Sequence, residues 1–115
     1  MKRAKNLLII VMIGILVNSL NAQHKAYEVR IIGEGEPLLF FPGFACTDAV
    51  WEEQVNELSK NYECHLFTFA GFGNVSPVEF PWYPKIEEQV LSYIEANNLE
   101  KATAIGHSLG GTLAL

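Results

Sequence analysis

The 115-residue sequence is short of cysteine, histidine, aspartate and positive charge, and each shortage excludes something. Cys46 and Cys64 stand singly, as do His24, His65 and His107, and none of them has the spacing of a metal site. No metal and no cofactor is expected. Of the eight Lys and Arg residues, Lys2, Arg3 and Lys5 fall within the first 22 positions, which hold no acid. Residues 23–115 therefore carry five basic against thirteen acidic side chains, a net of −8. A nucleic-acid partner is not expected, because the basic footprint is missing, and nothing attracts the chain to an anionic membrane surface. Repeats, linkers and low-complexity stretches are also missing. What is abundant is apolar: 50% of residues, with only 18% charged, a composition that excludes disorder.

The apolar excess begins at once. MKRAKNLLIIVMIGILVNSLNAQ has a basic start, an 11-residue apolar run from Leu7 to Val17 and a polar stretch closing on Ala22. This is the layout of a secretory signal peptide cleaved after Ala22. Residues 1–22 are read as that signal and the protein as exported, periplasmic or secreted. The alternative is a membrane anchor by an uncleaved signal, although a spanning helix needs about 20 apolar residues. No stable membrane span is expected after cleavage.

Residues 23–115 read as one unit of alternating strands and helices. Ala26–Ile32 alternates apolar and polar residues, as a half-exposed strand does. Gly33–Pro37 is a turn cluster, and Leu38–Phe41 is a continuous apolar run suited to a strand buried on both faces. Val50–Lys60 is an amphipathic helix for which Asp48 is the expected cap. Tyr62–Phe69 is a second buried strand, Ala70–Pro81 a long loop, and Tyr83–Asn98 a helix with Ile86, Val90, Leu91 and Ile94 at helical spacing. A short strand over Lys101–Ile105 and a helix from Leu109 follow. The alternation predicts an α/β fold, a mostly parallel sheet with helices on both faces. It also separates the cysteines, one beyond the end of its strand and one near the start of the next. Their separation is about 16 Å at about 3.3 Å per residue, beyond disulfide reach. Both are expected as free thiols.

One motif carries chemistry. Gly106-His107-Ser108-Leu109-Gly110 matches G-x-S-x-G directly after a strand and opening a helix. A serine on so sharp a turn projects its hydroxyl from the sheet edge, and glycines two before and two after leave room for the turn. With Gly and Ser each at roughly 7%, the pattern is expected about 0.04 times in such a chain. At the end of the preceding buried strand, Phe40-Phe41-Pro42-Gly43-Phe44 lies at the same sheet edge. The backbone N–H groups of Phe44 and Leu109 are thus candidates for paired oxyanion donors, which need to sit about 3 Å from the oxyanion. Ordinary strand-end turns are the bland alternative for both features.

In these motifs the chain resembles the α/β-hydrolase superfamily over nearly all of residues 27–115. The resemblance rests on PLLFFPGF, Trp51 in the first helix, AGFGNVSP after the next strand, and IGHSLGG. It implies Ser108 as nucleophile, an oxyanion hole from Phe44 and Leu109, Gly106 and Gly110 as elbow glycines, and acyl transfer to water through an acyl-enzyme. A serine here differs from the branches that use aspartate, the haloalkane dehalogenases and epoxide hydrolases. Three positions depart from the family pattern: Pro42-Gly43 where His-Gly is common, Thr68 where Asp is frequent, and Ser76 one step late.

In this fold the acid and base follow the nucleophile. Only Leu, Gly, Gly, Thr, Leu, Ala and Leu follow Ser108, and none can serve. Residues 23–115 are therefore expected to be the N-terminal part of a hydrolase domain, inactive alone. The complete protein is expected to be an esterase or lipase-like enzyme with a small-molecule acyl substrate. Phe44, Phe72, Phe80 and Trp82, expected at the sheet edge, suit an apolar acyl group or are simply packed. A non-catalytic exported binding domain of the same fold is the alternative function, and a defective product a third possibility.

Overall fold

The computed structural model describes residues 24–115, so the export reading of residues 1–22 lies outside the described residues. Four strands, β1 (Tyr27–Ile32), β2 (Glu36–Phe41), β3 (Tyr62–Phe69) and β4 (Thr103–Gly106), form one sheet in the order β1-β3-β2-β4. Strand β2 runs parallel to β3 and β4, and β1 runs antiparallel to β3. A 3-10 turn (Asp48–Trp51) leads into α1 (Glu52–Leu58) between β2 and β3; α2 (Trp82–Ala96) joins β3 to β4, and α3 (Leu109–Leu113) follows β4. The two crossovers move in opposite directions across the sheet. With a common right hand, they put α1 and α2 on opposite faces.

The cores follow from this. Strands buried on both faces alternate two apolar sets, one for each helix layer. Leu39, Phe41, Phe67 and Phe69 pack with Ile86 and Val90 of α2. Leu38, Phe40, Cys64 and Leu66 pack with Val55 of α1, and Trp51 leans on Phe40 at a ring separation of 5.3 Å. The Trp51 indole N–H is buried with no acceptor among the described residues. His65 belongs to the α2 face and is 3% exposed. Its Nδ1 and Nε2 lie 2.6 Å from the Tyr93 hydroxyl and the Glu63 carboxylate, which satisfies both ring nitrogens. Burial pushes the Tyr27 and Tyr93 phenols above the usual tyrosine value, with Tyr27 and Glu63 adding to the effect at Tyr93.

Cys46 and Cys64 are both free, the second fully buried with its thiol pushed up by burial. Helix α2 ends where Asn98 takes a left-handed conformation (φ 54°), and the Leu99 N–H donates back to the Ile94 carbonyl at 2.9 Å.

Three expectations need correction. Strand β2 starts at Glu36, inside the turn cluster, because Glu36 and Pro37 pair with Tyr62 and Glu63. The helix expected over 50–60 is a 3-10 turn plus seven α-helical residues. Its cap is Thr47, whose hydroxyl accepts from the Ala49 N–H at 3.3 Å. Asp48 is instead drawn into tertiary contacts: its carboxylate meets Arg30 Nε at 2.6 Å and its N–H donates to Thr68 Oγ1 at 2.9 Å.

Candidate active site

Parallel pairing sets the site, because β2 and β4 end side by side. Phe41 pairs with Gly106, and the His107 N–H donates to the Phe41 carbonyl at 3.1 Å, so the ladder continues one residue past β4. There the chain turns into α3 through Ser108, at φ 51° and ψ −116°. That combination favours glycine, and for a serine it costs about 1–3 kcal/mol. The turn has to be this sharp because α3 packs directly against the strand it has just left. A Cβ on Gly106 would overlap the Gly110 carbonyl and stand 2.5 Å from the Gly111 Cα. One on Gly110 would overlap the Phe41 carbonyl oxygen and stand 2.7 Å from that of Pro42. Both glycines are therefore required by close backbone approach, as the motif predicts. Gly111 differs, since its nearest atom would be 3.9 Å away.

Ser108 is exposed, and its side chain makes no capping hydrogen bond to α3. Leu109 is the first residue of α3, so its N–H lacks an intrahelical acceptor. Across from it, Gly43-Phe44-Ala45-Cys46 forms a turn closed by the Cys46 N–H to the Gly43 carbonyl at 3.1 Å, with Ala45 left-handed at φ 59°. The Phe44 N–H lies in this turn with no acceptor among the described residues. The two turns abut: a Cβ on Gly43 would stand 2.8 Å from Nδ1 of His107. The structure thus brings Ser108, Leu109, Gly106, Gly110 and the Phe44 turn to one sheet edge.

The histidine beside the serine points elsewhere. The His107 ring stands edge-on to Trp51, with centroids 6.5 Å apart, and against Gly43, as expected for adjacent residues on a sharp turn. His65 is occupied by Glu63 and Tyr93. Among the described residues no group of three or more His, Cys, Asp or Glu side chains could hold a metal, and no helix is long and apolar enough to cross a membrane.

Three of the four aromatics expected at this edge converge. Phe44 lies 5.1 Å from Phe72 and 6.5 Å from Trp82, and Phe72 lies 5.4 Å from Trp82. Trp82 is fixed by its indole N–H, which donates to the Ala70 carbonyl at 2.8 Å. Phe80 stands apart, 91% exposed. Sequence reasoning named Thr68 and Asp48 but missed how the side chains behind the Phe44 turn are joined: Thr47 as the cap, and Asp48 tied to Arg30 and Thr68. The Thr47-Asp48 dipeptide, two potential caps in a row, was the available signal.

A sequence profile of the alpha/beta hydrolase fold matches residues 36–115. The 3-oxoadipate enol-lactonase 1 of Acinetobacter baylyi is 34% identical over 97 residues, covering 83% of this chain and 36% of that protein. The pimeloyl-[acyl-carrier protein] methyl ester esterase of Aliivibrio fischeri is 32% identical over 82 residues, covering 71% and 30%. The solved structure of an esterase from a marine microorganism superposes with a TM-score of 0.68 at 30% identity, over 76% of this chain and 34% of that one. The chain thus spans about a third of the length of these relatives. By the profile match, the relatives and the sheet that carries Ser108 between β4 and α3, this chain belongs to the alpha/beta hydrolase fold family.

Proposed function

We propose that this chain supplies the nucleophile and oxyanion hole of an exported carboxylic-ester hydrolase working through an acyl-enzyme. The observation that carries the reading is the backbone of Ser108, a serine held at φ 51° and ψ −116° between two obligatory glycines. A strain that glycine would relieve is retained where it aims a hydroxyl outward. In this reading Ser108 Oγ attacks the ester carbonyl, and the Phe44 and Leu109 N–H groups donate to the resulting oxyanion, each such donor contributing about 10²–10³ in rate. The alcohol leaves with the proton taken from Ser108, and water then hydrolyses the acyl-enzyme.

The substrate is a small molecule whose acyl part is apolar, matching the ring cluster of Phe44, Phe72 and Trp82 beside the donor turn. The ester chemistry in the names of the enol-lactonase and the methyl ester esterase supports the same bond type. In this reading neither His107, which faces Trp51, nor His65, held by Glu63 and Tyr93, is the base, and the base with its orienting carboxylate belongs to the part of the relatives' length that this chain does not span. Residues 1–115 alone should then hydrolyse p-nitrophenyl acetate no faster than their Ser108→Ala variant. Residues 1–22 are the proposed export signal, and a mature N-terminus at Gln23 checks it.

A fluorophosphonate probe on the full-length protein tests the assignment. Labelling at Ser108 that vanishes in Ser108→Ala is expected. A folded full-length protein that stays unlabelled, or labelling that survives the substitution, overturns it and leaves the fold to a binding role.

A further inference from the structure

The turn that carries the Phe44 N–H hangs between two attachments. On one side is the end of β2, where Pro42 is buried against the sheet. On the other is Asp48, which is tied to two separate strands. Its N–H donates to Thr68 Oγ1 on β3 at 2.9 Å, and its carboxylate takes Arg30 Nε of β1 at 2.6 Å on one oxygen, with the Thr68 hydroxyl 3.4 Å from the other. Thr68 is 7% exposed, so the Asp48 N–H has a fixed, sheet-borne acceptor. Thr47 is held from a third direction, its methyl packed where Gly73 leaves space: a Cβ there would stand 2.8 Å from Thr47 Cγ2.

From this arrangement we infer that Thr68, Asp48 and Arg30 form a latch that positions the Phe44 N–H against Ser108, making them positioning residues for the reaction proposed above. The Arg30 and Asp48 side chains are 48% and 26% exposed. A pair so placed contributes little to stability, and what it supplies is geometry. Only three residues, Ala45, Cys46 and Thr47, separate Phe44 from the latched Asp48. A shift of Asp48 is therefore passed to the donor turn. The chemistry also predicts an exchange of roles. A carboxylate at position 68 could accept the Asp48 N–H as the hydroxyl does, but it would then face the Asp48 carboxylate, whereas Glu28, paired in register with Thr68, is exposed and the same in every variant. Thr68→Asp should harm the protein when Asp48 is present and be tolerated when position 48 is an amide.

The inference rests on the reading of Phe44 as an oxyanion donor, and the test separates the two. In the full-length protein, hydrogen exchange over residues 43–49 is followed by mass spectrometry for wild type, Thr68→Val, Asp48→Asn, Thr68→Asp and the double variant Thr68→Asp/Asp48→Asn, alongside kcat and KM for p-nitrophenyl acetate. Circular dichroism confirms folding. Thr68→Val should raise exchange in 43–49 about fivefold, the loss of one net hydrogen bond; Thr68→Asp, by setting two carboxylates against each other, and Asp48→Asn, by removing the charge that holds Arg30, should raise it in the same direction. Each should lower kcat about tenfold or more, as misplacement of a donor does, with KM within twofold. The double variant should recover most of both. Equal loss in the double variant and in its parents, or exchange unchanged in every folded variant, overturns the latch. Altered exchange with an unchanged kcat overturns its positioning role. If wild type itself neither turns over nor labels at Ser108, the ester reading has failed, and the exchange pattern alone decides the latch.

Discussion

Gly110→Ala adds one methyl group at the point where α3 touches β2, and its cost can be worked from distances. The new Cβ would stand 2.5 Å from the carbonyl carbon of Phe41 and 2.7 Å from the carbonyl oxygen of Pro42, and would overlap the Phe41 oxygen. All three atoms are backbone, so no side chain can rotate away. Relaxed contacts lie at about 3.5–4.0 Å, so α3 has to withdraw by about 1 Å. Overpacking of this kind costs about 1–3 kcal/mol. That lowers the melting temperature by about 4–8 °C per kcal/mol in a domain of this size, and by about 2–4 °C per kcal/mol in one of 150–250 residues. The withdrawal also carries Ser108 and the Leu109 N–H with it, and a 1 Å misplacement costs about 10²-fold in rate. Gly111→Ala is the internal control. Its Cβ would meet nothing nearer than 3.9 Å, and alanine is favoured over glycine in a helix by about 1 kcal/mol. Thermal melting by circular dichroism and the rate of fluorophosphonate labelling, measured on both variants of the full-length protein, give the comparison. Gly110→Ala melting and labelling like wild type would refute the close-approach reasoning, as would Gly111→Ala proving equally harmful.

Iodoacetamide applied to the native protein should alkylate Cys46 and spare Cys64, because the second is fully buried and its thiolate disfavoured; a Cys46–Cys64 disulfide found by mass spectrometry would contradict the strand geometry. The two tryptophans should respond unequally to removal of their N–H. Trp82→Phe strands the Ala70 carbonyl and should cost at least about 1 kcal/mol more than Trp51→Phe, whose indole N–H has no acceptor to lose; comparable losses in urea melts would show the assignment wrong. The Tyr27 and Tyr93 phenols are raised above the usual value of about 10. A raised acid keeps its proton longer in the folded chain than in the unfolded one. Its stabilisation is therefore complete below about pH 10 and is lost as pH climbs through the folded-state value. The urea midpoint should fall over that range, and less steeply in Tyr93→Phe. Equal slopes would count against the burial of Tyr93.

Much of this was legible in the chain. The run Leu38–Phe41 is apolar at every step, and Tyr62–Phe69 is interrupted only by Glu63, His65 and Thr68, because both faces of β2 and β3 are covered, as in a sheet between two helix layers. The sharp strand-to-helix turn was legible because Gly106 and Gly110 answer to backbone contacts that no side chain can relax. Long-range choices were hidden. Although Gly33–Gly35 would suit a hairpin, β1 crosses to pair with β3, since β2 is already flanked by β3 and β4. Asp48 was the expected cap and Thr47 is the actual one, and what drew Asp48 away was Thr68 and Arg30, some twenty residues distant on either side. No local pattern contains that information.

The torsion angles of Ser108 have a consequence for protein engineering. Position 108 holds the wrong residue for folding, because glycine would occupy φ 51° and ψ −116° freely. A library selected for heat resistance alone should therefore enrich Ser108→Gly, while one selected for turnover should purge it. Sequencing the two pools side by side would single out the position without any substrate being known in advance.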